Sequence, residues 1–109
     1  MINADHIKAY QSRLKALYGY LDIEKKQMLI EDEQGLTHDP NFWDDPKQAE
    51  VVLKNIRTKK IWVDAYEVVE AAIGDLDVIF DFHKEGEASE EELMAQDVIT
   101  IKAIEELEF

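Results

Sequence analysis

The chain has 109 residues, of which 46% are hydrophobic, and it carries no cysteine and a formal net charge of −13. That apolar share excludes a disordered tail, the length suits one domain with a modest core, and the missing cysteine excludes disulfides and thiolate chemistry. No apolar run approaches the ~20 residues of a bilayer span, and Met1-Ile2-Asn3-Ala4-Asp5 lacks the basic start and apolar stretch of a secretory signal, so a soluble cytoplasmic protein is expected.

Ile7, Tyr10, Leu14, Leu17 and Leu21 recur at spacings of three and four, which is one face of a helix that Asn3 or Asp5 can cap. Gly19 loosens the pattern, and Asp22 is placed to cap a continuation through about Gln34. Residues 4–34 therefore read as one kinked helix or as two. Gly35 is expected to end the segment in the left-handed conformation. Residues 36–45 read as a loop: Asp39-Pro40 signals a turn, and Phe42 and Trp43 are expected to be its buried anchors.

Asp45 followed by Pro46 reads as the start of the next helix. Two apolar stripes follow one residue apart: Trp62, Tyr66, Val69, Ile73, Leu76 and Phe80, and behind them Ile61, Ala65, Val68, Ala72, Ile79 and Phe82. Trp62 and Tyr66 are the expected anchors of the first. Two stripes imply neighbours on two sides. Gly74 weakens the helix without ending it, and Lys84 with Gly86 closes it. A helix over 46–84 would be roughly 58 Å long at ~1.5 Å rise per residue, so the molecule must be elongated.

Ser89 with Glu92 three residues on forms a capping box for a last helix, whose apolar face is read as Met94, Val98, Ile101, Ile104 and Leu107. That face is still running at Phe109, which suggests a longer parent trimmed there. The fold expected is an all-α, elongated, antiparallel bundle of three to four helices, coiled-coil-like, forming one domain over 1–109.

No catalytic constellation emerges. His6, His38 and His83 lie in different segments, and no His-Glu-x-x-His or Glu-x-x-His occurs, so the helical zinc and di-iron arrangements lack their ligands. Ser12 and Ser89 stand outside any Gly-x-Ser-x-Gly, and no glycine-rich phosphate loop exists. Glu90-Glu91-Glu92 and Glu105-Glu106 read as a solvated face, and Glu31-Asp32-Glu33 lacks calcium-loop spacing. No metal and no cofactor is expected.

Charge is lopsided. Residues 1–60 balance ten cationic against ten anionic side chains, whereas 61–109 carry the whole negative excess. Lys54, Arg57, Lys59 and Lys60, with Lys47 two turns earlier, form the one basic patch. It is a candidate contact for a phosphate backbone, set against ion pairing with acids of neighbouring helices.

Tyr18-Gly19-Tyr20-Leu21-Asp22, then Lys25-Lys26, then Asp39-Pro40-Asn41-Phe42-Trp43-Asp44-Asp45-Pro46, with the close at Ala103–Phe109, resemble the first domain of the release factor 2 family of bacterial peptide chain release factors. The resemblance implies a helical, ribosome-contacting domain of a translation termination factor acting at UGA and UAA. It would project toward the GTPase-associated region and stalk base, with the recycling GTPase as a further partner. The family reads stop codons with Ser-Pro-Phe and triggers hydrolysis with Gly-Gly-Gln; neither Ser-Pro nor Gly-Gly occurs here, so neither activity is expected of this chain. The alternative is a free-standing helical adaptor offering a groove to a protein partner.

Overall fold

A computed structural model describes residues 2–109, and the regular structure among them is helical. Helix α1 spans Ala4–Tyr20, α2 Ile23–Leu36, α3 Pro46–Lys84 and α4 Glu90–Glu108, with one 3-10 turn at Phe42–Asp44. The molecule measures 60 × 25 × 17 Å with a radius of gyration of 18.7 Å, against roughly 13 Å for a compact domain of this size. It is the elongated all-helical bundle that the stripes predict.

Local chemistry sets the helix ends. Asn3 caps α1, its side chain accepting from the His6 N–H at 3.0 Å while the His6 ring accepts from the Asn3 N–H at 3.4 Å. The α1–α2 junction makes two helices of residues 4–34, because Asp22 adopts a left-handed φ of 51°. Its side chain makes no capping bond; the Lys26 ammonium instead donates to the Leu21 carbonyl. Gly35 does not stop α2. It lies inside the helix, which runs on to Leu36 and closes in right-handed turns, Thr37 donating its hydroxyl to the Gln34 carbonyl at 2.6 Å. A hydroxyl that can satisfy an orphan carbonyl makes the left-handed glycine unnecessary.

Asp45 accepts from the Gln48 N–H at 3.2 Å and opens α3, with Pro46 in the first turn, where its missing N–H costs nothing. The far end closes on Gly86 at φ 79°, where Glu87 and Gly86 donate to the Phe82 and His83 carbonyls at 2.8 and 3.0 Å. This is the paired-bond stop that favours glycine. The Ser89–Glu92 capping box opens α4.

Helix α3 is the spine. Helix α1 lies antiparallel along its C-terminal half, with Ile7 beside Phe80 at one end and Tyr18 against Tyr66 at the other, ring centroids 5.5 Å apart. Helix α2 continues that line down the N-terminal half to the Lys59–Glu33 pair. Helix α4 also runs antiparallel to α3 and makes the most extensive contact with it, Thr100 opposite Ala72 and Leu107 near Trp62. The C-terminal half of α3 is thus packed on two sides, by α1 and α4, and the N-terminal half on one.

The core joins Ile7, Tyr10 and Leu17 of α1, Ile23 of α2, Val63, Tyr66, Val69, Ile73 and Leu76 of α3, and Leu93, Ile104 and Leu107 of α4. Each such aliphatic, fully buried, contributes about 1.5–3 kcal/mol.

The face of α4 differs from the expected one. Met94 and Val98 are exposed, and Leu93, Thr100, Ile104 and Leu107 are buried. The helix is rotated because its polar residues find partners inward. The buried Thr100 hydroxyl lies 2.8 Å from the Gln96 carbonyl and 3.1 Å from that of Ala72, Gln96 donates to Ala72 at 3.2 Å, and Asp97 accepts from Tyr10. The second stripe of α3 is likewise only partly covered. Ala72 is buried, while Ile61, Val68 and Phe82 are exposed, since one partner helix reaches the small residues of that face and leaves its flanks open.

Candidate docking surface

The basic patch divides on folding. Lys59 turns toward α2, and its ammonium lies 2.6 Å from Glu33 Oε1, both side chains being about four-fifths buried. It therefore serves the α2–α3 interface and leaves the candidate contact set. Lys54, Arg57 and Lys60 are exposed and make no ion pair among the described residues. They lie at steps of three along α3, so they follow one outer face over two turns.

The aromatic anchors also divide. Tyr66 is buried against Tyr18. Phe42 is half-buried and shares a shallow depression with Leu36 and Val52. Trp43 and Trp62 are not anchors: Trp43 is 59% exposed and Trp62 45%. At Trp43 the backbone holds the loop without aromatic help, Asp39 accepting from the Asn41 N–H at 2.8 Å and from the Phe42 N–H at 2.9 Å. The ring then only meets Phe42 edge-on at 4.8 Å. At Trp62 the last turn of α4 brings up Leu107 and leaves the ring 45% exposed beside it.

Beside Trp62 opens an apolar groove of about 330 Å³ between α3 and α4. It is lined by Ile61, Trp62, Ala65, Val68 and Val69 of α3 and by Ala103, Glu106 and Leu107 of α4. Ile61 and Val68 are 66% and 63% exposed. A second depression of about 340 Å³ adjoins the first through Ile61, and is otherwise lined by Arg57, Lys60 and Asp64. Arg57 and Lys60 therefore share one surface with the exposed apolar side chains, and Lys54 lies a turn further along α3. Sequence reading missed this because it assigned Ile61 and Val68 to a covered stripe. The available signal was the alternation of Arg57 and Lys60 with Ile61 and Trp62 on adjoining positions.

Among the described residues no group of three or more His, Asp or Glu could hold a metal ion, and the large proton-affinity shift lies elsewhere, at Tyr10, pushed up by burial. His6 belongs to a helix cap, and His83 Nδ1 donates to the Ala88 carbonyl at 2.9 Å. No helix among the described residues is long and apolar enough to cross a membrane. What the arrangement offers is shape, apolar area and charge.

Comparison with known proteins gives this helical arm its kin. No family model matches the chain. Individual relatives do: it is 31% identical over 101 residues, 90% of its length, to peptide chain release factor 2 of Staphylococcus aureus. It is 33% identical over 72 residues to that of Staphylococcus saprophyticus and 28% over 80 residues to that of Staphylococcus haemolyticus, covering 66% and 73% of this chain. The chain belongs to the bacterial peptide chain release factors. Within them it falls in the release factor 2 family, and it spans about a quarter of the length of the curated relatives it matches, 27% in the S. aureus case and 19% and 22% in the others.

Proposed function

We propose that this chain is the N-terminal, ribosome-contacting domain of a class 1 translation termination factor directing release at UGA and UAA in the cytoplasm. The observation that carries this reading is the match to release factor 2 along 90% of the chain. The physics agrees with it. An acidic rod 60 Å long, with an exposed cationic and apolar face and no reactive cluster, suits an arm that positions a larger machine. On this reading the chain performs no chemistry. Stop-codon reading and peptidyl-tRNA hydrolysis belong to Ser-Pro-Phe and Gly-Gly-Gln segments, which this sequence does not contain. The stalk base and GTPase-associated region would be its site on the ribosome, and the recycling GTPase a further partner.

The test is replacement. The chain is put in place of the matching first quarter of S. aureus release factor 2, and termination at UGA is measured with purified ribosomes. Activity well above that of the factor lacking its first quarter supports the reading. A chimera no better than the truncated factor, together with failure of the isolated chain to co-sediment with ribosomes, would sink it. The adaptor reading would then stand, and a stop codon directly after the codon for Phe109 would favour it.

A further inference from the structure

We infer that the composite face of α3 and α4 docks an acidic amphipathic helix of a protein partner, whose apolar side seats on Ile61, Trp62 and Val68 and whose carboxylates meet Lys54, Arg57 and Lys60. This deepens the docking-arm reading and rests on it, naming the chemistry of the partner.

Charge complementarity selects the occupant. In a chain of net charge −13, the clustering of three exposed cations along one face, none of them in an ion pair among the described residues, is a local concentration of positive charge. Arg57 and Lys60 adjoin the apolar groove through the common residue Ile61. Complementary potentials of this kind steer association and fix register. A phosphate backbone would use the cations alone. It would also leave three large apolar side chains in water. A helix with carboxylates on one flank and apolar residues at i, i+3, i+4 and i+7 satisfies both halves of the surface.

The fold supplies the shape argument. Helix α4 fills one flank of the C-terminal half of α3 and ends near Trp62, whereas the N-terminal half has α2 alone. The position left open beside residues 54–62 is where a further bundle helix would lie.

The test uses the 109-residue chain carrying Trp43→Phe, so that emission reports Trp62 alone. Three synthetic peptides of about 20 residues serve as probes: a leucine-faced helix with glutamates elsewhere, its twin with lysines for glutamates, and a scrambled acidic version. The acidic helix is expected to shift Trp62 emission to the blue and to bind more weakly as salt rises, while the lysine twin and the scrambled peptide do not compete. Arg57→Glu with Lys60→Glu is expected to weaken that binding by roughly tenfold or more, with the circular dichroism unchanged because both side chains are exposed. Equal binding by the scrambled peptide, or full affinity in the double variant, overturns the proposal. So does silence toward the acidic helix combined with patch-dependent binding of a duplex RNA oligonucleotide. Peptide binding that survives failure of the chimera and of ribosome co-sedimentation would reject the termination reading and keep this one.

Discussion

The Tyr10 hydroxyl donates to Asp97 Oδ1 across 2.7 Å and so ties the first helix to the last. Burial, and then this hydrogen bond to an anion, push the Tyr10 phenol up from its ordinary value of 10.0 to about 12. A raised pKa means that the folded state holds the proton more tightly than the unfolded chain. The associated stability is complete below about pH 10 and is lost as pH rises through about 12.

Tyr10→Phe should therefore cost about 1.5–3 kcal/mol at neutral pH, the range for a hydrogen bond to a charged group. It should also flatten the decline in stability between roughly pH 10 and 12. Urea denaturation at a series of alkaline pH values reads both effects. An alkaline limb as steep in the variant as in the parent would show that the phenol is not responsible.

The other α1–α4 tie behaves differently. Arg13 donates from Nε and Nη2 to the two Glu108 carboxylate oxygens at 2.9 and 2.5 Å, and this holds the Glu108 carboxyl below its ordinary range. A depressed pKa contributes stability above the ordinary carboxylate value and loses it as pH falls through the depressed one. Both side chains are about one-third exposed, so screening keeps the contribution below ~1 kcal/mol. Glu108→Gln should lower stability measurably in dilute buffer and by much less near ~1 M salt, where the Debye length is ~3 Å. Equal losses at both ionic strengths would point to packing instead.

Lys59 and Glu33 form a mostly buried pair in which Glu33 Oε2 has no hydrogen-bond partner. Removing one member leaves the other charge poorly solvated, so Lys59→Met and Glu33→Leu should each cost about 1–3 kcal/mol. The double variant should cost less than the sum, and a double-mutant cycle reports that coupling. Because Lys59 faces α2, Lys59→Met should leave acidic-peptide binding unchanged; a parallel loss of affinity would return it to the docking face.

Asp22 holds a left-handed backbone with no side-chain bond to offset it. Asp22→Gly should be neutral or stabilising by up to ~1 kcal/mol, relief at φ 51° being set against the greater freedom of glycine in the unfolded chain. Asp22→Val should destabilise by more than ~1 kcal/mol, because a branched side chain fits that conformation poorly. Thermal unfolding of the two variants orders them, and a valine variant as stable as the parent would mean that the junction adjusts.

What could be read in advance follows from how local each signal is. The caps at Asp45-Pro46 and Ser89-Glu92, the stop at Gly86 and the spine from 46 to 84 are written in neighbouring residues, and the structure has each of them where the pattern puts it. The rotation of α4 was not legible, because Thr100 is polar and is buried only through Ala72, which lies 28 residues away in sequence. The same limit applies at the surface. The clustering of Lys54, Arg57 and Lys60 is visible in the chain, but the diversion of Lys59 to Glu33 is a contact between helices. The tryptophans misled for a related reason: aromatic size predicts burial only where a neighbour exists to provide it.

The uneven support along α3 has a mechanical consequence. A beam stiffened on two flanks over one stretch and on one flank over the rest deflects most where the stiffening halves, and here that step falls near Trp62 and Ala65. A load applied near Trp43 would bend the singly buttressed half more than the doubly buttressed one. Whatever grips the face beside Trp62 therefore acts as a splint and sets the angle at which the whole rod is presented.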